Sequence, residues 1–142
     1  MTSQEFTYPS TPRSVDTMLD DLTAVLNREA VERGLIRRML LAVSEAFTNA
    51  LIHGNGLDPH KLIKVRLAVN ETDVVADISD TGKGGLNDIE NKKPATPESE
   101  SGRGIDLIKH FASSTSFTEG TDGGLQVTLT FLRSNKHTLS NI

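Results

Sequence analysis

The chain has 142 residues, a net charge of −4 and no cysteine. This length suits one domain with a buried core, and the absence of cysteine excludes disulfides and thiolate metal sites. No apolar run approaches the roughly 20 residues that span a bilayer, and the N-terminus lacks a signal-peptide pattern. The acidic balance argues against a nucleic-acid surface. We therefore expect a cytoplasmic protein that binds neither membrane nor nucleic acid directly.

The N-terminal part of the chain predicts a strand followed by a helix. Residues 4–8 alternate weakly between apolar and polar, which indicates a short strand. Apolar residues then recur at helical spacing from Ser14 to about residue 33. Either Ser14 or Ser10 is the candidate N-cap of this helix, and Gly34 is expected to end it.

A second helix and a β-hairpin are predicted next. The helix runs from about residue 35 to 52 and is stopped by the sequence His-Gly-Asn-Gly at 53–56. Residues 62–69 and 74–78 are rich in β-branched and aliphatic side chains and predict two strands. The polar residues 70–73 between them predict the connecting turn.

The C-terminal part predicts a long loop, a short helix and two more strands. Residues 86–101 are rich in Pro, Ser, Glu and Lys, which favours a loop, and long loops in compact domains often act as lids. A short helix is expected over 104–111, and strands over 115–117 and 125–132. The tail after residue 133 is polar.

These elements predict an α+β fold, a two-layer sandwich in which helices cover one face of a mostly antiparallel sheet. We expect a single domain over residues 1–133 and a polar C-terminal tail over 134–142. The chain shows neither an internal repeat nor a composition change that would mark a second domain.

Glu45, Asn49 and His53 are spaced four residues apart on the second predicted helix, so they share one face. Magnesium takes oxygen ligands and is usually held by few protein groups plus phosphates, which makes Asn49 a candidate metal ligand. Glu45 is the candidate general base of a phosphoryl transfer. An isolated Glu-x-x-x-Asn pattern more often marks a solvated helix face, so this assignment depends on the segments that follow.

Asp80 follows an apolar strand and precedes Gly82 and Gly84. A carboxylate at such a strand end can accept a hydrogen bond from the exocyclic amine of adenine, whereas guanine offers a carbonyl at that position. The glycines would let the backbone approach the base closely. An ordinary Asp-x-Gly turn is the alternative interpretation.

The segment Gly102-Arg103-Gly104-Ile105 ends the polar loop and begins the predicted short helix. Backbone N–H groups at a helix start favour phosphate, and Arg103 could reach a terminal phosphate with its planar guanidinium. A glycine-rich helix start with a solvated arginine explains this segment about equally well. The chain contains no P-loop pattern and no dinucleotide-binding glycine pattern after a strand.

In their order and spacing, the three segments resemble the motifs of the histidine-kinase-like ATPases, and most closely those of the bacterial anti-sigma factor serine kinases. Residues 45–54 resemble the N box, 80–84 the first glycine box and 102–105 the second. The loop between the two glycine boxes looks like the ATP lid. The resemblance covers nearly the whole chain and implies a Bergerat-type ATP-binding sandwich.

The resemblance also implies a role for each matching residue. It assigns Asn49 to Mg²⁺, Asp80 to the adenine amine and Glu45 to general-base catalysis. Arg103, which could reach the terminal phosphate, is the other candidate catalytic residue. It assigns Gly82, Gly84, Gly102 and Gly104 to nucleotide-binding loops, and His53 and Ile105 are further candidate nucleotide-binding positions. It further implies a homodimeric kinase that phosphorylates a serine on an anti-anti-sigma partner of the STAS type and sequesters a sigma factor.

Three features depart from the family pattern, namely two single positions and the loop that looks like the lid, which lacks an obvious phosphate-binding pattern before Ser101. Gly85 stands where the family usually has an aliphatic residue near the base, and Leu125 stands where a hydroxyl is common. They leave a second interpretation open, in which the chain binds ATP but regulates its partner by sequestration without transferring phosphate. A detached ATPase domain of a sensor histidine kinase and a chain that binds no nucleotide are further alternatives.

Overall fold

A computed structural model describes residues 2–81, 106, 108–119 and 123–134 of the chain. The predicted loop over 86–101 and the tail beyond residue 134 lie outside the described residues. Within the described part, no helix is long and apolar enough to cross a membrane.

Five strands and two α-helices form the described structure, and a single π-helical turn extends the second helix. In chain order the elements are β1 (Thr2–Pro9), α1 (Arg13–Arg28), α2 (Arg33–Asn49), the π turn (Ala50–Gly54), β2 (Leu62–Val69), β3 (Asp73–Ser79), β4 (Ser114–Glu119) and β5 (Leu125–Leu132). Residues 106 and 108–111 are also helical.

The strands form one sheet in the order β1-β2-β3-β5-β4, and every neighbouring pair is antiparallel. A single row of paired residues shows the register across the whole sheet. This row consists of Phe6, Val65, Ile78, Val127 and Phe117. All five belong to the core or pack against it, because alternate residues of a strand point to the same face.

The two helices cover that face and bury the apolar core. Met18 and Leu22 of α1 and Met39 and Phe47 of α2 are fully buried. The other face of the sheet carries polar side chains such as those lining the groove of Glu5, Lys64, Arg66, Asp77, Ser79 and Gln126. The predicted α+β sandwich with helices on one face of an antiparallel sheet is therefore confirmed.

The strand predictions agree closely with the structure. β2 and β5 have the predicted bounds, whereas β1, β3 and β4 extend one or two residues beyond the prediction at their ends. The predicted turn between β2 and β3 is closed by a hydrogen bond of 2.8 Å from the Asn70 N–H to the Asp73 carbonyl.

The predicted boundary between the two helices was wrong. α1 ends at Arg28 and not near residue 33, because Ala30 adopts a φ of 56°, which interrupts the helix. The Val31 N–H then donates to the Leu26 carbonyl at 3.0 Å. α2 already begins at Arg33, so Gly34 lies inside this helix and does not end the first.

The predicted capping of α1 was also wrong. Pro12 occupies the N-cap position, and no side chain caps the helix there. Ser14 lies within the first turn of α1. The buried Ser10 hydroxyl instead donates to the Lys61 carbonyl at 2.6 Å, ahead of β2.

A clamp of polar contacts joins the connection between the helices to the end of the sheet. The Arg133 guanidinium donates to Glu32 Oε1 from Nε at 3.1 Å and from Nη2 at 3.0 Å, and to the Asn70 carbonyl from Nη1 at 2.8 Å. Burial by itself would raise the pKa of Glu32, but the hydrogen bonds and charge of Arg133 outweigh it, so that pKa is lowered.

Candidate functional site

Glu45 and Asn49 lie one turn apart near the C-terminal end of α2. Both side chains are half-buried, between the buried stripe of the helix and solvent. Among the residues that the structure describes, none forms a hydrogen bond with the Glu45 carboxylate or the Asn49 amide. The structure thus places a carboxylate and an amide oxygen four residues apart on one face of α2.

Directly after Asn49 the helix widens into the π turn. The Asn55 N–H donates to the carbonyl of Ala50, five residues earlier, at 2.8 Å. Such π-helical turns occur frequently at functional sites. His53 lies in this turn and its side chain is exposed, whereas Glu45 and Asn49 precede the turn on regular helix.

Asp80 follows β3 and is only 6% exposed. Its backbone N–H donates to the Leu125 carbonyl at 3.0 Å, and the Leu125 N–H donates to Asp80 Oδ1 at 3.2 Å. The first residue of β5 thus binds both the backbone and the side chain of Asp80. This pair of contacts fixes the direction of the carboxylate at the end of the sheet.

Two glycines form a close cradle around Asp80. A Cβ atom added at Gly54 would overlap the Asp80 carboxyl group, and one added at Gly124 would overlap the Asp80 carbonyl group. Glycine is therefore required at both positions for this packing. Since Gly54 ends the π turn, the contact also places the end of the Glu45–Asn49 helix against the Asp80 carboxylate.

Asn55, the residue after the π turn, is 2% exposed and binds three separate segments. Its Nδ2 donates to the Ser10 Oγ at 2.8 Å and to the Leu62 carbonyl at 3.1 Å. Its Oδ1 accepts the backbone N–H of Thr81 at 3.0 Å. The side chain thus connects the ends of β1 and β2 to the residue that follows Asp80.

The sequence pattern indicated Asn55 only as part of a helix stop and did not predict these contacts. Its partners Ser10 and Thr81 lie 45 and 26 residues away along the chain. A local sequence pattern cannot predict contacts between residues so far apart in the chain. The only sequence signal was a polar residue directly after the glycine that ends the helix.

The described residues contain no group of three or more His, Asp or Glu side chains that could hold a metal alone. Mg²⁺ does not need such a group, since it is usually bound through one or two protein ligands together with phosphates and water. Asn49 fits that limited role.

The remaining predicted site residues lie outside the described part of the chain, as does the departure at Gly85. They stay predictions, and they are Gly82, Gly84, Gly102, Arg103, Gly104 and Ile105.

The described structure is an antiparallel sheet covered by two helices, with Asp80 beside the end of the helix that carries Glu45 and Asn49. The chain matches the family model of the histidine kinase-like ATPase domain over residues 8–131. It belongs to this family.

Similar proteins support this membership. The chain is 33% identical over 103 residues to an anti-sigma F factor of Bacillus cytotoxicus, with 70% of each chain covered. It is 30% identical over 119 residues to an anti-sigma F factor of Anoxybacillus flavithermus, covering 81% of this chain and 72% of that protein.

A solved structure shares the fold. It contains the RsbU and RsbW domains of a Mycobacterium tuberculosis protein and matches with a TM-score of 0.70 at 22% identity. The match covers 94% of this chain but 33% of that longer chain.

Proposed function

We propose that the chain is an ATP-binding anti-sigma factor with Mg²⁺-dependent protein serine/threonine kinase activity. Its substrate would be an anti-anti-sigma protein with a STAS domain, and its second partner a sigma factor that it sequesters as a cytoplasmic homodimer. The similarity to proteins named anti-sigma F factor supports the class of partner. The observation that carries the kinase assignment is the presence of Glu45 together with Asn49 on one face of α2, next to the cradle of Asp80.

The Asp80 carboxylate would recognise the base. The Leu125 N–H donates to Asp80 Oδ1, and this contact would restrain the carboxylate before a ligand arrives. A carboxylate accepts hydrogen bonds and donates none, so it suits the amine of adenine and disfavours the carbonyl of guanine. Preorganisation of this kind lowers the entropy cost of binding.

Asn49 and Glu45 would serve the other end of the nucleotide. Asn49 would offer its amide oxygen to Mg²⁺, and Glu45 would accept the proton of the partner's serine hydroxyl. ATP supplies the phosphoryl group that is transferred. A helix holds both side chains at fixed spacing, which is the type of rigid element that favours catalysis.

A second candidate function is an ATP-binding module that sequesters its partner without phosphorylating it. Leu125 favours this alternative, because it meets Asp80 through its backbone N–H and offers no side-chain hydroxyl to the nucleotide. In that case ATP would act as a conformational ligand, and Glu45 would have no catalytic task.

Calorimetric titration of ATP or GTP, each with Mg²⁺, into the purified protein tests the binding site. We expect the wild-type protein to bind ATP with micromolar affinity, corresponding to about −8 kcal/mol, and to bind GTP far more weakly. Asp80→Asn should abolish this preference. Asp77→Asn is the matched control, since Asp77 lies on β3, the strand that Asp80 follows, but on the open face of the sheet. A wild-type protein that binds neither nucleotide would refute the proposal.

Phosphate transfer to the cognate STAS protein distinguishes the two candidates. General-base catalysis contributes about 10²- to 10⁴-fold in rate, so Glu45→Gln should slow transfer by that factor while ATP affinity stays close to wild type. Glu71→Gln in the exposed β2–β3 turn is the control. Tight ATP binding with no phosphate transfer to any STAS protein would support the second candidate, the module that sequesters its partner without phosphorylating it. Light scattering would separately test whether the protein is a homodimer.

A further inference from the structure

We propose that Asn55 is a positioning residue for base recognition, which holds the Asp80–Thr81 segment where the Asp80 carboxylate can meet the adenine amine. Asn55 is 2% exposed, so it acts through its neighbours and does not touch the nucleotide. This inference rests on the proposed ATP-binding function.

The hydrogen-bonding capacity of the Asn55 side chain is fully used. Both Nδ2 hydrogens have acceptors, the Ser10 Oγ and the Leu62 carbonyl. Oδ1 accepts the Thr81 N–H at 3.0 Å and lies 3.4 Å from the Thr81 hydroxyl. An amide has two donors and two acceptor sites, so this arrangement fixes its orientation.

The far side of this network is itself rigid. Ser10 is completely buried, and both its N–H and its hydroxyl donate to the Lys61 carbonyl, at 3.1 and 2.6 Å. Ser10 and Lys61 immediately follow β1 and precede β2, which are paired along their whole length. Asn55 therefore ties Thr81 to the sheet framework and not to a surface loop.

Asp80 and Thr81 are consequently held from two directions. β5 holds Asp80 through Leu125, and Asn55 holds Thr81 through its amide oxygen. Loss of the Asn55 amide would leave the Thr81 N–H without this acceptor and remove this restraint on the residue that follows Asp80. With Thr81 released, the position of Asp80 is less firmly set, so its carboxylate should favour the adenine amine less strongly over a carbonyl.

ITP provides a sharp probe, because it differs from ATP chiefly in having a carbonyl in place of the adenine amine. We expect the ratio of ATP to ITP affinity to fall about tenfold in Asn55→Ala, the equivalent of one misdirected hydrogen bond. Asn70→Ala is the matched control. Its Nδ2 also makes a side-chain hydrogen bond, to Asp73 Oδ1 at 2.7 Å, but at the opposite end of β3.

A double-mutant cycle shows whether Asn55 acts through Asp80. In the Asp80→Asn background, Asn55→Ala should cause no further loss of the ATP/ITP ratio, because the discriminating carboxylate is already gone. A purely structural role would instead lower the melting temperature while leaving the ratio at its wild-type value. All titrations are made well below the melting temperature of each variant.

The possible outcomes separate this inference from the proposed function. A wild-type protein without ATP binding overturns the proposed function. If the wild type has a normal ratio of ATP to ITP affinity and Asn55→Ala keeps it, the positioning role alone is overturned. An equal fall of the ratio in Asn70→Ala would overturn it too. If Asn55→Ala does not fold, amide exchange in the wild type decides: slow exchange at the Thr81 N–H supports the role, and exchange at the unprotected rate rejects it.

Discussion

Replacement of Gly124 by alanine tests the packing at the base of the candidate site. The Cβ atom of Gly124→Ala would overlap the Asp80 carbonyl oxygen and lie 2.8 Å from the Asp80 carbonyl carbon and 3.1 Å from Thr81 Cα. These are backbone atoms, so no side-chain rotation can relieve the overlap. The start of β5 must instead move away from Asp80, which strains the two Asp80–Leu125 hydrogen bonds.

The expected loss of stability follows from these contacts. Overpacking in a close-packed region costs about 1–3 kcal/mol, and a lost backbone hydrogen bond costs about 1 kcal/mol. We therefore expect Gly124→Ala to lower the free energy of unfolding by about 2–4 kcal/mol, which most domains of this size survive. ATP affinity should fall as well, because the Asp80 carboxylate takes its direction from Leu125.

Urea unfolding followed by far-UV circular dichroism measures the effect, since the chain has no tryptophan. Gly34→Ala is the control: nothing lies within 4 Å of its added Cβ, and alanine in α2 should stabilise by up to about 1 kcal/mol. Gly56→Ala separates clash from backbone strain, because its Cβ also meets open space but its φ is +60°. Wild-type stability and ATP affinity in Gly124→Ala would refute the argument.

Three further variants test other parts of the molecule. Above the ordinary carboxyl pKa of 4.5, Glu32→Gln should have a lower free energy of unfolding than the wild type. This difference should disappear as the pH falls through the lowered pKa of Glu32, and urea unfolding from pH 7 to 3 would measure it. Phe47→Ala removes a fully buried ring that packs edge-on against Tyr8 at 5.7 Å, so unfolding should require about 3–5 kcal/mol less by the same assay. Tyr8→Phe deletes the hydroxyl that donates to Asp21 at 2.7 Å and should lower the free energy of unfolding by about 1 kcal/mol in the same assay.

The strands could be predicted from the sequence because their signal is local. In β2, buried and exposed residues alternate strictly from Leu62 to Leu67, and the sheet has one covered face, so period-two alternation identifies both the strand and its inward side. The presence of the two helices could be predicted from the sequence equally well. The break between α1 and α2 was not, because it depends on the positive φ of Ala30, and nothing marks an alanine for that conformation.

The same distinction between local signals and long-range contacts applies to the candidate site. Glu45 and Asn49 could be identified because their spacing lies within one helix. The contacts of Asp80 with Gly54, Leu125 and Gly124 join residues far apart in the chain, so the sequence identified Asp80 as a candidate but not what holds it. Leu125 appeared only as a missing hydroxyl, although its backbone N–H turned out to be a direct partner of the carboxylate.

The two parts of the candidate site should respond differently to substitution. The base-recognition end is held by long-range contacts from β5 and from Asn55, whereas Glu45 takes its position from α2 alone. Variants at Gly124 or Asn55 should therefore change which nucleotide binds and how tightly, with little effect on the rate of transfer at saturating ATP. Glu45→Gln should do the reverse. Rate and selectivity that always changed together would mean that α2 and the Asp80 cradle move as one unit.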